Sequence, residues 1–123
     1  MSKLNSKKSQ WIDICKLADI PPNSGVCAEL NGNQVALFHL QSAANDGLSE
    51  VKAISNYDPF AKANVLSRGL ITESNNQYFV ASPLLKQQFC LDTGRCEQDS
   101  ELHLVTYHAR ITGETVQLQG PAS

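Results

Sequence analysis

The 123-residue sequence lacks the features that mark several functional classes directly. No apolar run approaches the roughly 18 to 20 residues that a membrane-spanning helix needs. The first nine residues include three lysines but have no apolar segment behind them, as a secretory signal would. The formal net charge is −2, without the clustered basic face that nucleic-acid binding requires. We therefore expect a cytoplasmic protein that contacts neither membrane nor nucleic acid.

Catalytic signatures are missing as well. The sequence contains no G-x-S-x-G, P-loop, G-x-G-x-x-G or H-E-x-x-H motif, and its acidic residues are scattered rather than paired. The three histidines have no partner at a metal-ligand spacing. His39 lies in an apolar run and is predicted to be a core or edge histidine with one nitrogen satisfied. His103 falls in phase with the buried face of the last predicted hairpin and His108 with its polar face, so the isolated chain is not expected to be catalytic.

Cysteine pairs of the C-x-x-C type are also absent. The four cysteines are Cys15, Cys27, Cys90 and Cys96. In a cytoplasmic protein a disulfide framework is improbable, and free cysteines behave as small, mostly buried apolar side chains. The alternative is a pair between the last two cysteines, or a metal site that also uses His103 or His108.

What the sequence does contain is a succession of short apolar segments separated by turn signals, which predicts an all-β fold, a sandwich or a small barrel. The clearest turn is Asn31-Gly32, because both residues tolerate the positive φ of a tight hairpin. Residues 35–40, VALFHL, are apolar on both faces and predict a central strand. The only helical candidate is one short turn in DPFAKANVLSRG, where an aspartate precedes a proline as an N-cap does.

The strongest strand signal lies near the end of the sequence. Apolar and polar side chains alternate there, and the pattern predicts a half-buried antiparallel hairpin that turns at residues 112–114. The residues expected to face the interior are Val105, Tyr107, Ala109, Ile111, Val116 and Leu118.

Two loops, residues 55–69 and 81–94, resemble those that hold the iron–sulfur cluster in Rieske domains. The Rieske loops follow the patterns C-P-H-x-G-x-x-L-x-x-G and C-P-x-H-G-W-x-F-D-x-x-x-G, in which two cysteines ligate one iron and two histidines the other. The non-ligand positions of these patterns are matched at Pro59, Leu66, Gly69, Pro83, Phe89 and Gly94.

The four ligand positions depart from the Rieske pattern. They become Asp58 and Phe60 in the first loop and Ser82 and Leu85 in the second. Phe60 and Leu85 have no donor atom, and the hard oxygens of the other two residues are poorly matched to an iron–sulfide core. We therefore expect a Rieske-like fold without a [2Fe–2S] cluster, in which Phe60, Leu84 and Leu85 fill or cap the volume that the cluster would occupy.

The same segments resemble the small subunits of cytoplasmic NAD(P)H-dependent nitrite reductases. The likeness covers most of residues 10–120, and its most specific run is N-x-D-P-F followed by V-L-S-R-G-L-I. Membership would imply an accessory subunit of an oxidoreductase that reduces nitrite to ammonia in nitrate or nitrite assimilation. It would also imply a large-subunit partner that holds FAD, an iron–sulfur cluster and siroheme, with no cofactor on this chain.

The resemblance implies three segments: a flexible tail at 1–9, a Rieske-like domain at 10–120 and a short tail at 121–123. Rieske domains present their two loops at one tip, so we expect such a tip here. Apolar anchors inside a charged rim are typical of interfaces. The candidate partner-binding residues are Tyr57, Leu84, Lys86 and Arg68. The competing interpretation is that Phe60 and Leu85 stay in the core as a plug.

Two other functions fit the same residues. One is a Rieske-type ferredoxin that carries electrons to an oxygenase through unexpected ligands. A shifted register would then offer Cys90, Cys96, His103 and His108 as those ligands. The other is a free-standing Rieske-like protein-interaction module, since a fold does not fix a function.

Overall fold

The structure of the chain is a computed structural model that describes residues 10–42 and 46–120. The expected tails at 1–9 and 121–123, and part of the loop at 42–50, lie outside these residues. The described part consists of β-strands and two short 3-10 helices, Leu17–Asp19 and Leu66–Arg68, so the all-β prediction is confirmed. No helix in these ranges is long and apolar enough to span a membrane.

Thirteen strands follow one another along the described residues. In chain order they are β1 Ile12–Lys16, β2 Ser24–Leu30, β3 Asn33–Gln41, β4 Ser49–Ser55, β5 Tyr57–Asp58, β6 Ala63–Asn64, β7 Leu70–Ser74, β8 Gln77–Ala81, β9 Gln88–Cys90, β10 Arg95–Cys96, β11 Asp99–His103, β12 Thr106–Thr112 and β13 Thr115–Gln119.

The strands form one barrel-like sheet, a second sheet and a small hairpin. The first sheet has the order β1-β13-β12-β4-β3-β2, and both of its edge strands line one groove, so the sheet curls into a nearly closed barrel. The second has the order β11-β10-β9-β8-β7, and β5 pairs with β6 alone. All pairings are antiparallel.

Strand β3 explains why the core has two parts. Its residues alternate between the inside of the barrel and the interface with the second sheet, and both sides are buried. The barrel interior holds Val35, Leu37, Val51, Ala53, Val116 and Leu118. The interface between the sheets holds Phe38, Leu40, Ile54, Leu66, Val80 and Phe89. The prediction of a central strand that is apolar on both faces is therefore confirmed.

The second sheet is also tied to the barrel by a surface ion pair. Lys52 on β4 places its Nζ 2.7 Å from a carboxylate oxygen of Asp92, which follows β9, and 3.6 Å from one of Glu50. Partial burial opposes the charge of Lys52, but the hydrogen bond and charge of Asp92, helped by Glu50, outweigh it and raise the pKa of the ammonium group.

The last predicted hairpin is correct from residue 107 onward and wrong before it. Val116 and Leu118 are fully buried as expected, whereas Val105 is 43% exposed and Thr106 is buried. His103 is exposed rather than on the buried face. The cause is a change of sheet: β11 belongs to the second sheet and β12 to the barrel, so the two-residue period is reset at the link between them.

All four cysteines are free thiols, as expected, but they are not all buried. Cys90 and Cys96 are buried, Cys15 is partly buried and Cys27 is exposed. Cys27 is exposed because it alternates on β2 with Val26 and Ala28, which pack against the barrel interior, and so points to the opposite face.

Gly94 closes the turn after β9 in a conformation that only glycine adopts easily. Its φ is +79°, and a Cβ added there would lie 2.2 Å from the carbonyl oxygen of Leu104. The backbone of Gly94 also accepts a hydrogen bond from the Leu104 N–H at 2.8 Å. The close approach of these two backbone segments therefore requires glycine at this position.

We expect Gly94→Ala to lower the free energy of unfolding by roughly 3 kcal/mol or more, because positive-φ strain is added to a backbone collision. The matched control is Gly113→Ala, where φ is +62° and no atom lies within 4 Å, so only a strain of about 1–2 kcal/mol applies. Urea unfolding of both variants measures the difference. Equal losses would contradict the collision.

Candidate functional site

The first loop is anchored to the barrel by Asn56, a buried residue that sequence analysis did not single out. Its Oδ1 accepts a hydrogen bond from the Ser67 N–H at 2.7 Å, and its Nδ2 donates to Oε1 of Gln34 at 3.1 Å. Its backbone carbonyl accepts from the Leu66 N–H at 3.1 Å. Asn56 thereby fixes the 3-10 helix Leu66–Arg68 against β3.

Asp58 shapes the turn between β5 and β6. Its Oδ1 accepts hydrogen bonds from the N–H groups of Phe60, at 2.9 Å, and Ala61, at 3.3 Å. Its carbonyl oxygen accepts from the Lys62 N–H at 2.7 Å, which closes one turn of helix-like chain. Asp58 thus makes the side-chain hydrogen bonds of an N-cap, but a turn and not the predicted helix follows it, and the helix among residues 58–69 is the 3-10 helix Leu66–Arg68.

The second loop is organised by Ser82 in the same manner. Its N–H donates to the carbonyl of Gln87 at 2.8 Å, and its carbonyl accepts from the Lys86 N–H at 3.1 Å. Its hydroxyl oxygen accepts from the Leu84 N–H at 3.3 Å. The side chain is 1% exposed, so the loop folds around a buried hydroxyl group.

The two loops meet through these two residues. The Ser82 hydroxyl donates a hydrogen bond to Oδ2 of Asp58, and the Asp58 side chain is fully buried. Three donors, namely one hydroxyl and two backbone N–H groups, therefore share the two carboxylate oxygens. A buried carboxylate needs such partners because burial without them is costly.

The residues at the four ligand positions do not fit a [2Fe–2S] cluster. Asp58 and Ser82 are engaged with each other, and neither is a thiolate or an imidazole. Phe60 and Leu85 offer no lone pair. Within residues 10–42 and 46–120, no three His, Cys, Asp or Glu side chains are grouped as metal ligands would be. The shifted ligand set of Cys90, Cys96, His103 and His108 is thus not assembled.

Phe60, Leu84 and Leu85 do not fill the volume between the loops as buried side chains. Phe60 is 36% exposed, and Leu84 and Leu85 are 56% and 50% exposed. Phe60 makes a tilted ring contact with the buried Phe89, at 6.4 Å between centroids. The hydrogen-bonded side chains of Asp58 and Ser82, rather than apolar side chains, lie between the two loops.

The tip consequently presents an apolar surface with a cationic rim. Tyr57, which precedes Asp58 in the first loop, is also 42% exposed. Residues 57–68 and 82–87 also contain three exposed cations, Lys62, Arg68 and Lys86, and a single acid, which is the buried Asp58. The other eleven acidic residues of the chain lie outside these segments. The candidate interface residues of the sequence analysis, Tyr57, Arg68, Leu84 and Lys86, are therefore all exposed residues of the two loops.

Comparison with known proteins identifies the family to which the sequence belongs. A family model described as Rieske-like [2Fe-2S] domain matches residues 10–119. The chain is 48% identical over 112 residues to the nitrite reductase (NADH) small subunit of Escherichia coli strain K12, which covers 91% of this chain and 99% of that protein. It is also 40% identical over 85 residues to the nitrite reductase NAD(P)H large subunit of Klebsiella oxytoca, which covers 69% of this chain and 8% of that protein.

Solved structures agree with the sequence comparison. The structure of the E. coli protein NirD superimposes with a TM-score of 0.76 at 46% identity, covering 93% of this chain and 98% of that one. The ferredoxin of carbazole 1,9a-dioxygenase from Nocardioides aromaticivorans IC177 superimposes with a TM-score of 0.69 at 20% identity, covering 89% and 97%. The second likeness concerns the fold alone.

We expect Ser82→Ala to lower the free energy of unfolding by about 1–3 kcal/mol, because it leaves a buried carboxylate oxygen of Asp58 without its donor. The exposed Ser100 provides the matched control, since Ser100→Ala should change stability by less than about 0.5 kcal/mol. Urea unfolding followed by circular dichroism measures both. If Ser82→Ala behaves like its control, the hydrogen bond between the loops is not a stabilising one.

Proposed function

From its membership of the Rieske-like [2Fe-2S] domain family, we propose that the chain is a cofactor-free accessory subunit. Within that family it belongs to the nitrite reductase small subunits. It assembles with a large subunit that holds FAD, an iron–sulfur cluster and siroheme. That subunit takes electrons from NADH or NADPH and reduces nitrite to ammonia. The complex is cytoplasmic and serves nitrate or nitrite assimilation, as the resemblance implies.

The observation that carries the cofactor-free role is the hydrogen bond between Asp58 and Ser82. In a Rieske domain the cluster itself joins the two loops through its four ligands. In this chain the loops are joined by a carboxylate and a hydroxyl at two of those positions, and the other two positions hold Phe60 and Leu85. The loops therefore need no metal to keep their shape, and the ferredoxin alternative has no donor set to support it.

Association with a large subunit is supported by the Klebsiella oxytoca protein. A segment similar to this chain is part of a polypeptide named as a nitrite reductase large subunit, so the two kinds of sequence occur in one molecule there. Physical linkage in one chain keeps two partners at a high effective concentration. Non-covalent assembly of separate chains needs a specific surface instead.

We place that surface at the tip. Tyr57 and Leu84 supply exposed apolar area, and Lys86 and Arg68 supply positive charge at its edge. Interfaces are typically built from apolar and aromatic anchors within a polar rim. The positive rim steers the tip toward an acidic region of the large subunit, because complementary charges accelerate encounter.

The cofactor-free role predicts that the chain is colourless. Protein purified anaerobically should show none of the visible absorption that an iron–sulfur cluster gives, and no stoichiometric iron or acid-labile sulfide. Absorption spectroscopy and chemical analysis of the same sample provide the measurement. Stoichiometric iron and sulfide would overturn the proposal and favour an electron carrier.

The tip interface predicts a selective loss of assembly. The double substitution Tyr57→Asp and Leu84→Asp should reduce co-purification with the large subunit at least about tenfold, since it places two charges in the desolvated centre of the contact. Leu48→Asp is the matched control, because Leu48 is 64% exposed but lies outside the two loops. Circular dichroism establishes that both variants fold. Undiminished co-purification of the double variant would place the interface elsewhere.

A further inference from the structure

A cavity of about 440 Å³ opens at the end of the barrel away from the two loops. Strand β4 begins at Ser49, on the wall of this cavity, and ends at Ser55, next to the loop residue Asn56. Its seven residues span about 20 Å, so the cavity is well separated from the tip. Five of its eleven lining residues, all apolar, come from the segment Leu17–Pro22, and the charged residues Lys16 and Glu114 also line it.

One wall of the cavity contains His39, which is buried and uses both ring nitrogens. Its Nδ1 lies 2.7 Å from the carbonyl oxygen of Ile20, and its Nε2 lies 2.7 Å from the hydroxyl of Ser49. A carbonyl oxygen can only accept, so Nδ1 carries the proton of the neutral ring. Nε2 is then the acceptor, and the Ser49 hydroxyl donates to it. The sequence-based expectation of one satisfied nitrogen is corrected to two.

Gln41 completes the group. It pairs directly with Ser49 across β3 and β4, and it lies two residues from His39 on the same face of β3. Its Nε2 donates to the Ser49 hydroxyl oxygen at 3.3 Å. A hydroxyl, a base oriented by a third group and an amide donor therefore converge on the wall of one apolar cavity.

We propose that Ser49, His39 and Gln41 form an acyl-transfer site for esters of small apolar acids. A nucleophile hydrogen-bonded to a base, which is itself held by a third group, is the arrangement used in covalent catalysis by serine. The apolar lining selects the acyl group, since cavities of roughly 300–1,000 Å³ with a few convergent polar groups are typical small-molecule sites. This site is independent of the function proposed for the tip.

The reaction uses only these residues, the ester and water. Ser49 Oγ attacks the ester carbonyl carbon while its proton passes to Nε2 of His39, and the Gln41 amide donates to the developing oxyanion. The carbon–oxygen bond of the ester then breaks, and the leaving alcohol takes the proton from His39, which leaves an acyl-serine. Water, deprotonated by the same nitrogen, releases the acid and restores the hydroxyl.

Treatment with a fluorophosphonate probe tests the nucleophile. We expect a single adduct per chain by intact mass, located at Ser49 by peptide mass spectrometry. This result needs no variant, so it stands even if a substitution prevents folding. A chain that stays unlabelled, or that is labelled at another residue, overturns the proposal.

Hydrolysis of p-nitrophenyl butyrate tests the activity. We expect Ser49→Ala to reduce the rate at least tenfold, while Ser55→Ala, at the other end of β4, leaves it unchanged. Gln41→Ala, at an exposed position, should lower the rate about tenfold without preventing labelling. Thermal unfolding establishes that each variant is folded. Equal rates in the folded Ser49→Ala protein and the unmodified chain overturn the proposal.

Discussion

The hydrogen bond between the Ser82 hydroxyl and the Asp58 carboxylate joins two loops that follow different sheets. Asp58 ends β5, the strand that follows the barrel, and Ser82 follows β8 of the second sheet. Two features of the tip lie next to this contact: the turn shaped by Asp58 and the loop folded on Ser82. Without it, a buried carboxylate would face the gap between two loops with one oxygen unpaired.

The contact also shows how a fold associated with a metal cluster keeps its shape by other means. Metal ligands join segments of chain by strong, directional bonds, and their loss removes that constraint. A fully satisfied buried polar group can serve the same geometric purpose, because each partner has one favourable arrangement and leaving any of them unpaired is costly. The hard oxygen groups of Asp58 and Ser82 are poor ligands for an iron–sulfur cluster. The same oxygen groups form the hydrogen bond that joins the two loops.

Local patterns predicted the fold well, and long-range pairing limited the prediction of the site. The Asn31-Gly32 hairpin and the doubly buried strand at 35–40 depend on neighbours in sequence, and the structure contains both. The phase error at Val105 arose because the chain changes sheets there, which no local alternation reveals. The expectation that apolar side chains fill the volume between the loops was wrong for a related reason. The partner of Asp58 lies 24 residues away, so the pattern located both ligand positions without showing that their side chains form a hydrogen bond with each other.

The nearly closed barrel leaves two strands with an unpaired edge, β1 and β2, on either side of one groove. Open edges are templates for unwanted pairing with other chains, and proteins protect them with charges and bulges. Here β1 has an irregular register between Asp13 and Cys15 and ends in Lys16, while β2 exposes Glu29. The irregular register interrupts regular pairing along the β1 edge and the charges resist desolvation, so these residues protect both open edges of the barrel against pairing with other chains.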